Sequence, residues 1–149
     1  MPPMYTFHHM HLRTCYPQTT AQYYQDMFDA ERLEYLQVSG RIRVHLNLHG
    51  MTIFIGDLPA GAAAPKAPSV PYIGLDHFGL RVDDLDSATA ELKHRGATFT
   101  LEPTTVQPGI RVTFIQGPDD VRIGPPAANA GKFAVSALAR SPLIALYPE

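Results

Sequence analysis

The sequence predicts an α+β fold: two tandem βαβββ modules that form a curved mixed sheet around a cavity. Three observations predict it. First, the chain repeats itself. His8-His9-Met10-His11-Leu12-Arg13-Thr14 matches Asp76-His77-Phe78-Gly79-Leu80-Arg81-Val82, which sets His9 and His77 68 residues apart. Second, each copy is followed by a turn, then by apolar residues at helical spacing, then by runs that alternate with period two. Third, a stretch rich in Ala, Pro and Gly separates the two halves, as a linker would. The expected organisation is residues 1–57 as the first module, 58–71 as the linker, 72–124 as the second module and 125–149 as an atypical tail, all in one domain.

The elements follow in order. After the first His-bearing strand, Tyr16-Pro17-Gln18-Thr19 reads as a turn, and Ala21, Tyr24, Met27 and Phe28 share one helical face. Thr19 or Thr20 is the expected cap of that helix, which ends at Asp29-Ala30. Residues 33–36, 41–48 and 51–55 alternate as strands, with Ser39-Gly40 and His49-Gly50 as turns. In the second half, Asp84 or Asp86 caps a helix carrying Leu85, Ala88 and Leu92, and Gly96 suits its left-handed end. Residues 99–101, 110–115 and 121–123 are the matching strands, with turns at Pro108-Gly109 and at residues 117–120. Four strands under one helix leave the other sheet face unprotected. Two such halves side by side bury edges and curve around a cavity, and equivalent first strands would present His9 and His77 to it as a pair.

Composition excludes several functions. The chain has 149 residues, 12 basic and 14 acidic side chains and a net charge of −2, so it lacks the basic balance of a nucleic-acid binder. An apolar share of 45% is that of a globular chain. No apolar run reaches the length of a membrane span, and the first residues lack the pattern of a secretory signal, so a cytoplasmic protein is expected. A single cysteine, Cys15, excludes an internal disulfide and a cysteine-rich zinc site. The sequence contains no Gly-x-Ser-x-Gly, phosphate loop or dinucleotide fingerprint.

Four segments together resemble the vicinal oxygen chelate superfamily, which comprises glyoxalases, bleomycin and fosfomycin resistance proteins, and extradiol dioxygenases. They are Phe7-His8-His9-Met10-His11-Leu12, residues 21–28, Leu75-Asp76-His77-Phe78-Gly79-Leu80-Arg81-Val82 and Gly117-Pro118-Asp119-Asp120-Val121-Arg122-Ile123. The resemblance spans residues 7–124, most of the chain. In the metal-dependent members four positions hold a divalent ion, so the resemblance makes a site for Zn, Ni, Mn or Fe a candidate here, with two of the positions falling on His9 and His77. The other two, usually Glu, fall on Phe54 and Gly124, and neither side chain can bind a metal. The loss removes both the charge that balances an ion and the usual proton-transfer base.

Other residues are candidates to complete the site. Arg41, Arg43, His45, Asn47 and His49 share one strand face by alternation. His45 or Asn47 is then a candidate third ligand or substrate contact, or else the row is a solvated face. Strand alternation puts His11 on the side of His9, as a ligand contact or a structural histidine. Asp57 either reaches back to the site or belongs to a turn. Arg13, Arg81 and Arg122 are candidate contacts to an anionic substrate, with pairing to nearby acids as the alternative.

The resemblance leaves two functional readings. The expected one is a small-molecule metalloenzyme, of lyase, epimerase or dioxygenase type, using an ion on His9 and His77, which the paired histidines favour. The other is a metal-free small-molecule binding protein, as in the drug-sequestering members, which Phe54 favours. A fold-only accessory protein is a third. Sheets of this size often close across a two-fold axis, so a homodimer is a further expectation. After Gly124 the chain changes character. Pro125-Pro126 break the strand, and residues 133–140 read as a short apolar helix, either covering the cavity or a partner subunit or incidental.

Overall fold

A computed structural model describes residues 1, 3–69 and 71–124. The expected helix at residues 133–140 lies outside them. The fold is α+β, with two four-stranded mixed sheets of the same connectivity. The first half runs β1 (Met10–Arg13), α1 (Pro17–Phe28), β2 (Glu31–Val38), β3 (Arg41–Leu48) and β4 (Met51–Gly56). The second runs β5 (Phe78–Gly79), α2 (Leu85–His94), β6 (Thr98–Gln107), β7 (Ile110–Gln116) and β8 (Arg122–Gly124). The sheets are ordered β1-β4-β3-β2 and β5-β8-β7-β6, and in each the first strand pairs parallel to the last. Residues 58–69, between the halves, form neither helix nor strand. No helix of the described residues is long and apolar enough to cross a membrane.

Helix α1 buries the stripe predicted for it: Ala21, Tyr24, Met27 and Phe28 lie in the core against Val44, Leu46, Ile53 and Ile55 of the first sheet. Its start differs from expectation. Neither Thr19 nor Thr20 caps it. The helix begins at Pro17, whose fixed φ and missing N–H suit a first turn, and Tyr16 stands at the cap with no side-chain bond. Thr20 instead lies in the first turn and hydrogen-bonds the Thr14 hydroxyl at 3.1 Å. The second helix is capped as predicted. The Asp84 carboxylate accepts the backbone N–H groups of Asp86 and Ser87, and Gly96 follows with φ +87°.

Tyr24 joins the halves. It is fully buried on α1, with its ring 6.3 Å from that of Phe78 on β5. Its hydroxyl is 3.6 Å from where a side chain on Gly117 would begin. Ile115 and Ile123 of the second sheet belong to the same core. Arg95, at the end of α2, donates to the Asp26 carbonyl at 3.2 Å and pairs with Asp29 at 2.9 Å beyond α1.

Candidate functional site

Strand alternation decides what the faces carry. Ile53, Ile55, Val44 and Leu46 turn toward the core, so their neighbours Phe54, Gly56, Arg43 and His45 turn to the opposite, open face of the first sheet. The register sets them in rows across three strands. His11, Phe54 and His45 form one row, and Arg13, Gly56 and Arg43 form the next.

Phe54 is the centre of the first row. The His9 ring stacks on it with centroids 4.0 Å apart and planes 21° apart, and the His45 ring does so at 3.9 Å and 18°. Two near-parallel rings at that distance must lie on opposite faces of Phe54. Their planes are then about 7 Å apart, whereas two ligands of one zinc ion at ~2.1 Å sit within about 4.2 Å of each other. The structure therefore does not bring His9 and His45 together as ligands of one ion. The His9 Nδ1 also shares a 2.7 Å hydrogen bond with the His8 Nδ1. His45 Nδ1 lies 3.1 Å from Glu34. His11 stands edge-on to Phe54 at 6.2 Å, with its Nε2 buried and without a partner. Burial holds its pKa below the usual imidazole value, and Arg13 and Arg43 add to the effect. Asn47, near the end of β3, ties down the β3–β4 turn: its Oδ1 accepts the Gly50 N–H at 2.8 Å.

His77 stands one residue ahead of β5, as His9 stands one ahead of β1. Its Nδ1 shares a 2.5 Å bond with the Asp76 carboxylate, and its ring lies edge-on to Phe114 at 4.8 Å. The same Asp76 oxygen accepts from Arg122 at 2.7 Å, and the Arg122 guanidinium lies over the Phe114 ring at 3.6 Å. The His77 hydrogen bond, then Arg122, hold the Asp76 carboxyl below the usual carboxylate range. Arg122 is thus paired with a nearby acid, one of the two alternatives the sequence leaves open for it. At Gly124 the Phe114 ring fills the space of a side chain: a Cβ there would meet its Cε1 at 2.7 Å and His77 Cδ2 at 3.3 Å.

These residues test the fit of a divalent ion. His9 and His77 offer one imidazole each, and neither Phe54 nor Gly124 offers a donor. Among the described residues, no group of three or more His, Cys, Asp or Glu side chains stands close enough to hold a metal. Closed divalent sites use about four ligands, three or more of them from the protein. On the described donors of this chain the fit fails.

Two features were not singled out in the sequence. Asp76 as the shared partner of His77 and Arg122 depends on the parallel β5–β8 pairing, which sequence spacing does not reveal. Gly56, set between Arg13 and Arg43, depends likewise on the β1–β4 register. Asp57 does not reach the histidines. It accepts the Ile42 N–H at 2.9 Å and lies 3.5 Å from Arg41. Arg81 is exposed, and Cys15 is an exposed free thiol.

Comparison with known proteins gives the family. The model of the Glyoxalase/Bleomycin resistance protein/Dioxygenase superfamily matches residues 6–124. No curated protein matches the chain. Among solved structures, a glyoxylase/bleomycin resistance protein/dioxygenase domain from Frankia sp. EAN1pec is 19% identical, with a TM-score of 0.69 over 87% of this chain and 96% of that one. A glyoxalase family protein from Enterococcus faecalis is 22% identical, with a TM-score of 0.69 over 82% of this chain and 97% of that one. The fosfomycin resistance protein FosX from Listeria monocytogenes, complexed with Mn(II) and sulfate, is 16% identical, with a TM-score of 0.60 over 84% of this chain and 93% of that one. At these identities the likeness is one of fold.

Proposed function

The chain belongs to the Glyoxalase/Bleomycin resistance protein/Dioxygenase superfamily, and from that premise we propose that it binds a small molecule on the open face of its first sheet without a resident metal ion. One observation carries the reading. The Phe54 ring stands between the imidazoles of His9 and His45, stacked on both at about 4 Å. The family resemblance places a metal-binding carboxylate at that residue. Aromatic stacking there supplies a rigid apolar wall and leaves the imidazole edges and nearby guanidiniums as polar contacts, the composition of a binding pocket.

The competing reading is a metalloenzyme. The equivalent places of His9 and His77, each one residue ahead of the first strand of its half, favour it. Elemental analysis separates the two. The untagged protein would be measured as purified and after loading with Mn, Zn, Ni or Fe, beside a His9→Ala/His77→Ala variant. The expected result is no stoichiometric metal in either protein. A near-stoichiometric ion in the wild type, lost in the double variant, would overturn the metal-free reading in favour of lyase, epimerase or dioxygenase chemistry.

A further inference from the structure

We propose that a notch over Gly56, on the open face of the first sheet, binds the oxyanion of a small ligand, a carboxylate or phosphate, with Arg43 and Arg13 as its clamps. The inference rests on the metal-free reading above and names the class of ligand that reading leaves open. The notch arises from register. Gly56 pairs with Arg13 on one side and Arg43 on the other, so two arginines flank a residue with no side chain. Neighbouring strands lie about 4.8 Å apart, which sets the two arginine Cα atoms about 10 Å apart. Guanidiniums at that spacing can close on one small anion from both sides. The cleft measures about 280 Å³ and is lined by Arg13, Arg41, Arg43, Ser39, Gly56 and Asp57 among others.

The local charges are unbalanced. Three guanidiniums face one carboxylate, Asp57, and that carboxylate is committed to the Ile42 N–H and to Arg41. Arg13 gives one N–H to the Asp57 backbone carbonyl at 2.7 Å. Among the described residues, Arg43 has no carboxylate within ion-pair distance. Its guanidinium lies 5.9 Å from the centre of the Phe54 ring. The Arg41 Nε is buried and makes no hydrogen bond, although Asp57 is 3.5 Å away. His11 Nε2, also buried without a partner, lies 2.9 Å from where a side chain on Gly56 would begin.

A buried donor without an acceptor, as at Arg41 Nε, costs stability, and like charges on facing strands repel. A bound oxyanion relieves both. A merely solvated strand face would leave its donors in water, so the buried Nε atoms argue for a recess. The like charge of the notch favours an anion over a metal cation. A single notch in a chain of net charge −2 does not make a nucleic-acid track.

The test is calorimetric titration of the intact protein with inorganic phosphate and, separately, with benzoate, each with and without EDTA. Arg43→Gln removes an exposed clamp with no hydrogen bond to lose. Arg81→Gln removes the same charge from the other half. The expected result is saturable binding that survives EDTA, weakened about tenfold by Arg43→Gln and unchanged by Arg81→Gln. Preference for phosphate or for benzoate then assigns a tetrahedral or a planar oxyanion. Absence of millimolar binding for both probes, or equal weakening by the two variants, would overturn the notch and leave the metal-free reading to its own assay. Binding that EDTA abolishes and Arg43→Gln spares would overturn both.

Discussion

The open faces of the two sheets make an instructive pair. They share connectivity and a histidine ahead of the first strand, yet they treat charge differently. On the open face of the second half Arg122 is paired with Asp76; elsewhere in that half Arg111 pairs with Asp86, Lys93 with Glu102, and Arg95 with Glu91 and with Asp29 of the first half, while Arg81 has no ion pair among the described residues. In the first half Arg13 and Arg43 have no carboxylate partner among the described residues, and Arg41 shares Asp57 with a backbone amide. The aromatic rings differ in parallel. Phe114 carries a guanidinium on its face, whereas Phe54 carries imidazoles. On the open faces, then, the second half pairs Arg122 with a carboxylate, whereas the first leaves Arg13 and Arg43 without one. Surface pairs of the first kind contribute little each. The unpaired set is where a ligand changes the energy most.

The largest expected effect tests whether the two halves are one unit. Tyr24 is fully buried and touches both sheets. Tyr24→Ala should cost about 3–5 kcal/mol, from lost transfer energy and the cavity left behind. Denaturant unfolding should remain a single transition. If a second transition appears while one half keeps its structure, the halves fold independently and Tyr24 packs rather than joins them. Tyr24→Phe sharpens the point. The hydroxyl is buried without a partner, so its removal should be neutral or slightly stabilising.

A smaller effect separates the two open-face glycines. A Cβ on Gly124 would meet the Phe114 ring at 2.7 Å, and that ring is held between Arg122 and His77. Gly124→Ala should therefore destabilise by about 1–3 kcal/mol, the usual cost of overpacking, and Phe114→Leu in the same chain should recover most of it. A Cβ on Gly56 meets the tip of the His11 side chain at 2.9 Å and, at an ordinary contact distance of 3.8 Å, the Arg13 guanidinium. Gly56→Ala should cost less than about 1 kcal/mol, because an imidazole can turn aside. Equal costs at the two glycines would mean that Phe114 is not pinned.

Much of this was legible in the chain, for a physical reason. The repeat, the stripe on α1 and the Asp84 cap are local patterns, and local patterns survive in one dimension. The start of α1 differs from expectation because Pro17 reads as a turn breaker in sequence, yet it is well suited to a first helical turn. The site was less legible. His9, His45 and Phe54 were each singled out, but their stacking depends on β1–β4 and β3–β4 register, which sequence spacing does not encode. Gly56 shows this most clearly. A glycine at a strand end looks like a terminator, and only the pairing of Arg13 and Arg43 across it makes it the floor of a notch.

The smallest expected effect concerns His11, which reports on that notch. Burial, then Arg13 and Arg43, lower its pKa in the folded chain below the ordinary 6.5. The folded state therefore prefers neutral imidazole. Well above pH 6.5 both folded and unfolded chains carry it neutral, and it contributes no pH dependence. As the pH falls through 6.5 the unfolded chain takes up the proton first, so stability falls until the folded pKa is passed. Tm measured from pH 7.5 down to pH 5 should decline less steeply in His11→Gln than in the wild type. Saturating phosphate should narrow that difference, because an anion between Arg13 and Arg43 offsets the charges that help keep His11 neutral. A wild-type slope that phosphate leaves unchanged, in protein shown to bind it, would place the anion elsewhere on the sheet and return the first half to the same footing as the second.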